Sequence, residues 1–139
     1  MDTLYERDFH AWALEQARKV RAGDQIDSEH VAEELESLGK SQQQQLVNRL
    51  AILITHRLKW DFQPAHRSNS WRATIREQQK LICRHMEDNP SLQSLLNRGV
   101  AQAYDFAVTL ASHETGIVEQ EFPEKSSYSF AELMEEVVL

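Results

Sequence analysis

Three observations predict an all-α fold, an antiparallel bundle of about five helices followed by a short C-terminal helix. Apolar residues recur at three- and four-residue spacing through nearly every segment, and no segment alternates polar and apolar over a useful length. The apolar stretches are bracketed by helix-capping residues in front and by glycine or proline behind. With 139 residues, 41% hydrophobic and 27% charged, the chain is expected to form one domain over residues 1–139. A chain of that size buries roughly 70% of the surface its unfolded form exposes.

The first helix opens at Thr3, which stands in capping-box spacing with Glu6, and carries Tyr5, Phe9, Trp12, Ala13, Ala17 and Val20 on one stripe before Gly23 stops it. A second starts near Asp27 or Ser28, buries Val31, Ala32, Leu35 and Leu38, and ends at Gly39. Ser41 with Gln44 repeats the capping spacing and opens a third helix to about Gln63, where Pro64 forbids continuation. Its apolar positions, Leu46, Val47, Leu50, Ala51, Leu53, Ile54 and Leu58, cover more than one narrow stripe, which marks it as the central helix.

Ser68 or Ser70 caps the fourth helix, with Trp71, Ile75, Ile82 and Met86 on one side. Asn89 followed by Pro90 opens the fifth, since Asn satisfies free backbone donors and Pro needs none at the first position. Its core face holds Leu92, Leu95, Leu96, Ala103, Phe106, Ala107 and Leu110, and Gly116 ends it. Gly99, Ala103 and Ala107 share a four-residue spacing that lets a neighbouring helix come close. After a loop with Pro123, Ser129 and Glu132 open the short last helix, whose Phe130, Leu133, Met134, Val137 and Val138 can dock on their own bundle or on a second copy.

Composition narrows the setting. The single cysteine, Cys83, forms no internal disulfide and agrees with a reducing compartment. The first ten residues have no basic start followed by an apolar run, and the longest apolar run, Leu50 to Ile54, is far below the roughly 20 residues that span a bilayer. A cytoplasmic chain with no membrane partner is therefore expected. A net charge of −7 opposes indiscriminate binding to DNA or anionic lipid, so any anion binding is local.

The place for it is His56 to Met86, where Arg57, Lys59, Arg67, Arg72, Arg76, Lys80 and Arg84 stand against Asp61 and Glu77, a local charge of +5 that leaves −12 for the remainder. On a helix, Arg72, Arg76, Lys80 and Arg84 step by roughly 40° each and lie about 140° from the apolar side. Glu77 can reach Lys80, and Glu87 or Asp88 can reach Arg84, but Arg72 and Arg76 have no local acid. Three partners are open to the row: the acidic segment of Asp24, Asp27, Glu29, Glu33, Glu34 and Glu36 in the same chain, an acidic protein, or nucleic acid. Trp60, Phe62 and Trp71 lend nucleic acid some support as stacking surfaces, although Trp71 sits in the core stripe. The candidate site is Lys59, Trp60, Arg67, Arg72, Arg76, Lys80 and Arg84, with an acidic protein preferred to nucleic acid and a homodimer left open.

The chemistry of catalysis is thinly represented. Gln63 to Ser70 puts His66 and Arg67 just before a helix N-terminus, a place receptive to anions, but Ser68 or Ser70 acting as a cap explains the same residues. The Glu-x-x-His pattern of di-iron bundles is absent, because Leu53, Ile82 and Leu110 stand three before His56, His85 and His113. No serine elbow or phosphate-cradling glycine loop is present, and neither cofactor nor metal is expected. An enzyme using His56, His66 or the Glu33 and Glu36 carboxylates in a pocket between helices is the alternative to an interaction module.

The blocks Tyr5 to Gly23, Ala32 to Ser41, His56 to Pro64 and Ser70 to Gln78 together resemble domain-of-unknown-function family twenty-nine of cyanobacteria and proteobacteria. The similarity continues through Asp88 to Leu92, Glu114 to Gly116 and Phe122 to Glu124. It implies an all-α bundle and no established activity, cofactor or catalytic residue.

Overall fold

The computed structural model describes residues 3–139 and is all-α, with no strand among them. None of the described helices is long and apolar enough to cross a membrane. The chain divides into two compact units, one up to Ser41 and one from Gln42 on.

In the first unit, α1 (Leu4–Arg7) and α2 (Phe9–Ala22) replace the single helix expected from Thr3 to Gly23. Thr3 does cap α1, accepting from Glu6 N. Asp8 interrupts the run: its backbone leaves the helical region, at φ −150° and ψ 85°, and its carboxylate caps α2 by accepting from Ala11 N at 3.0 Å. A short acidic side chain that can bond nearby backbone N–H groups competes with the helix in this way. Gly23 ends α2 at φ 74°, a conformation only glycine adopts without strain.

The third element is one continuous helix, α3 (Ser28–Phe62), where the sequence suggests a break at Gly39 and Ser41. Gly39 has no positive φ, and Ser41 Oγ donates back to Leu38 O at 2.7 Å instead of capping. One glycine costs a helix roughly 1 kcal/mol, less than the several backbone bonds a break forfeits. A Cβ at Gly39 meets nothing within 4 Å. Gly39→Ala is therefore expected to raise stability by roughly 0.5–1 kcal/mol, with an unchanged denaturant slope. A loss on chemical denaturation would show that the helix breaks there in solution.

Leu35 and Leu38, expected inside, are 63% and 62% exposed. α1 and α2 reach Asp27, just before α3, and the line of His30 and Glu34 on α3; Leu35 lies off it, and Leu38 lies a turn beyond Glu34, the residue that Tyr5 contacts.

The second unit is built on the rest of α3, with α4 (Asn69–Asp88) and α5 (Leu96–Thr115). His85 Nε2 donates to Gln42 O at 2.8 Å and Lys59 lies over Trp71, so α4 runs antiparallel to α3. Gly99 approaches Leu50 while Glu114 pairs with Lys59, so α5 returns parallel to α3. Leu50, Leu53, Ile54, Ile75, Ile82 and Ala103 are fully enclosed or nearly so. The small-residue stripe on α5 works as read and extends to Ala111, with Ala103, Ala107 and Ala111 all buried.

Asn89–Pro90 opens a 3-10 stretch, Pro90–Leu95, before α5 begins. Asn89 Nδ2 donates to His85 O at 3.1 Å, closing α4 rather than capping the 3-10 stretch. Gly116 ends α5 at φ 78°. The C-terminal segment then docks on its own unit through α6 (Phe130–Leu133), capped by Ser129, with Leu133 completely buried.

Candidate anion-attracting face

Ser68 fixes the start of α4 by accepting from Trp71 N at 3.1 Å, and the helix buries Ile75, Gln78, Gln79, Ile82 and His85. The opposite side is left to Arg72, Arg76, Lys80 and Arg84, all exposed. None of the four makes an ion pair with a described carboxylate of its own unit. The local pairs that spacing permits, Glu77 with Lys80 and Glu87 or Asp88 with Arg84, are not formed. The row is thus neither folded under nor neutralised within its unit.

Beside it runs a groove between α4 and the C-terminal segment. A hollow of about 360 Å³ is lined by Arg72, Ile75, Arg76, Gln79, Glu136 and Val137 among others. A second, of about 430 Å³, continues past Arg76, Gln79, Lys80, Cys83, Arg84 and Met134. Gln79, buried, ties the two walls together by donating to Leu133 O at 2.9 Å and Glu135 O at 2.8 Å. Arg57, from α3, donates to Glu132 O at 2.9 Å and holds the same segment from behind. Met134 and Val137 of the far wall are expected from the sequence to dock on their own bundle or on a second copy, but nothing in the sequence says against which helix. One signal was available: Gln79 sits on the apolar side of α4, four residues after Ile75 and three before Ile82. A buried amide at such a position needs partners.

Lys59, Trp60 and Arg67 behave differently. Lys59 pairs with Glu114 at 3.0 Å and lies over the Trp71 ring at 4.9 Å. Trp60 is only 4% exposed, so the flat apolar area expected of it beside the cations is not on the surface. Arg67 covers that indole at 4.9 Å and donates Nε–H to Trp60 O at 2.9 Å. These three hold the turn between α3 and α4. Pro64–His66 forms a 3-10 turn there, and Ser68 spends its hydroxyl on the cap, so the loop is accounted for structurally. Among the described residues no group of three side chains is placed to hold a metal ion. His56 donates Nδ1–H to Ile52 O at 2.9 Å, and burial pushes its pKa below the ordinary histidine value.

The first unit carries a separate polar cluster. Asp27 accepts from Trp12 Nε1 at 3.1 Å and from His30 Nδ1 at 2.7 Å, while its N–H donates to Gln16 Oε1 at 2.7 Å. Tyr5 stacks on His30 at 4.0 Å and donates its hydroxyl to Glu34, which raises its pKa from 10.0 to about 12. The hydrogen bond to Asp27 raises His30, helped by Glu33 and Glu29, and the bond from His30 lowers Asp27. Raised His30 stabilises the unit fully below its ordinary value of 6.5 and loses that contribution as pH climbs through the folded value; lowered Asp27 stabilises above 3.8 and fails below its folded value. Amide protection in α1 and α2 is therefore expected to be highest between those limits and to fall on the alkaline side. His30→Gln should flatten that fall in hydrogen exchange measured across roughly pH 6 to 9; an unchanged profile would assign the dependence to another group.

No curated protein and no solved structure matches the chain. The family model for the domain of unknown function DUF29 matches residues 4–139, nearly its whole length. An all-α chain whose helices, caps and terminal loop are matched together from end to end by one family model is a member of that family: the protein belongs to DUF29.

Proposed function

We propose that this protein is a non-catalytic cytoplasmic interaction module that receives an acidic protein partner along Arg72, Arg76, Lys80 and Arg84. One observation carries the reading: four cations project from one helix, unneutralised within their unit, beside a groove with an apolar floor of Ile75 and Val137. Like charges at i,i+4 cost a helix a few tenths of a kcal/mol per pair, so three successive pairs cost about 1 kcal/mol that a carboxylate-bearing partner removes. Arginine grips carboxylates through two parallel N–H bonds, which gives such a contact geometry as well as charge. Lys59, Trp60 and Arg67 support the face from the α3–α4 turn rather than touching the partner.

Nucleic acid is the second reading, since phosphates suit the same cations. It is weakened by the loss of two of its three stacking surfaces, with Trp60 buried and Trp71 half-buried under Lys59, while Phe62 stays 38% exposed. The test is a titration of the protein with a labelled Glu-rich helical peptide, and with single-stranded and duplex nucleic acid, near about 50 mM salt. Peptide binding that weakens at least tenfold in Arg72→Glu/Arg76→Glu supports the proposal. Nucleic-acid binding with a steep salt slope and no peptide binding transfers the site to the second reading. Binding of neither sinks both.

A further inference from the structure

Resting on that reading, we infer that the acidic partner is a second copy of this chain, whose exposed Glu29, Glu33 and Glu36 dock on the cation row of α4. The segment Asp24 to Glu36 holds six carboxylates and no lysine or arginine. Three are occupied inside their own unit: Asp24 lies 3.9 Å from Arg18, Asp27 is bonded to His30, and Glu34 accepts the Tyr5 hydroxyl. Glu29, Glu33 and Glu36 are exposed and make no ion pair there. On an α-helix their spacing of four and three residues keeps them within about 60° of one another, in steps of roughly 6 and 4.5 Å along the axis. Arg72, Arg76, Lys80 and Arg84 climb α4 in steps of roughly 6 Å.

Two helices laid side by side thus bring three carboxylates against three consecutive cations in near register. Each chain carries an acidic row and a longer basic row, of opposite sign and each without an ion pair inside its own unit. Charge complementarity of this kind selects a partner and fixes its register. The net charge of −7 makes two copies repel at long range, so the attraction acts only at contact and fades with salt.

The experiment is size-exclusion chromatography with light scattering on the full chain at about 100 µM, in about 50 mM and about 500 mM salt. The expected mass at low salt is twice the 16.1 kDa of one chain, falling to one at high salt. Arg72→Glu/Arg76→Glu and Glu33→Arg/Glu36→Arg should each be single chains with unchanged helical circular dichroism, since all four positions are exposed. Mixed in equal amounts, the two variants should regain the double mass, because each supplies the row the other has lost. Wild type at the single-chain mass in low salt overturns the inference, as does a double mass indifferent to both charge reversals. Neither result touches the peptide titration, which decides the interaction reading by itself.

Discussion

Trp60→Ala is expected to lower the stability of the second unit by about 3–5 kcal/mol, the usual cost of truncating a buried indole. Trp60 is 4% exposed and joins the core that α3 shares with α4 and α5. Removing the ring opens a cavity and also uncovers Arg67, whose guanidinium lies over the indole face at 4.9 Å. That stacking adds roughly 0.5–1 kcal/mol at a partly exposed site. The measured consequence is a midpoint shift in guanidinium unfolding and a fall in Tm of more than about 12 °C. Trp60→Phe, which keeps a ring under Arg67, should lose clearly less. A loss below about 1 kcal/mol for the alanine variant, coupled with weakened binding of the acidic peptide, would return Trp60 to the surface role its sequence neighbourhood suggests.

The contrast between Trp60 and Arg72 shows what a sequence discloses about such a site. Helical periodicity orders residues around one axis, so it separates Arg72, Arg76, Lys80 and Arg84 from Ile75 and Ile82 on α4, and there the reading holds. At Lys59, Trp60 and Arg67 the chain turns, and a period has no meaning across a turn. What decides the placement of Lys59 is Trp71 and Glu114 arriving from other elements, at 4.9 Å and 3.0 Å, while Arg67 folds back over Trp60 within the turn. Most caps were legible for the same reason the row was, being local chemistry: Thr3 and Ser129 act as read, and Ser68 takes the cap left open between it and Ser70, whereas Asn89 does not cap. Gly39 and Ser41 mislead because a helix already bonded on both sides absorbs one glycine, whereas Gly23 and Gly116 stand where the backbone must turn left-handed. What the terminal helix docks on is the least legible part, since its own residues mark a cap and an apolar side but not the element across from it.

Leu133→Ala tests that wall, with an expected loss of about 2–5 kcal/mol. Leu133 is completely buried, yet it belongs to a helix of only four residues that cannot persist without tertiary packing. The carbonyls that Gln79 and Arg57 bond belong to Glu132, Leu133 and Glu135, so those bonds also need the leucine seated. Loss of the side chain should release residues 128–137 first, detected as faster amide exchange there than in α3 or α5. The cation row should survive this, because α4 is capped by Ser68 and fastened to α3 through His85 and Gln42. Affinity for the acidic peptide is then expected to fall less in Leu133→Ala than in Arg72→Glu/Arg76→Glu, separating the charge contribution from that of the groove. The reverse ranking would move the binding determinant from the arginines to the apolar floor between Ile75 and Val137, while unaltered exchange would mean that the segment is held by contacts other than this leucine.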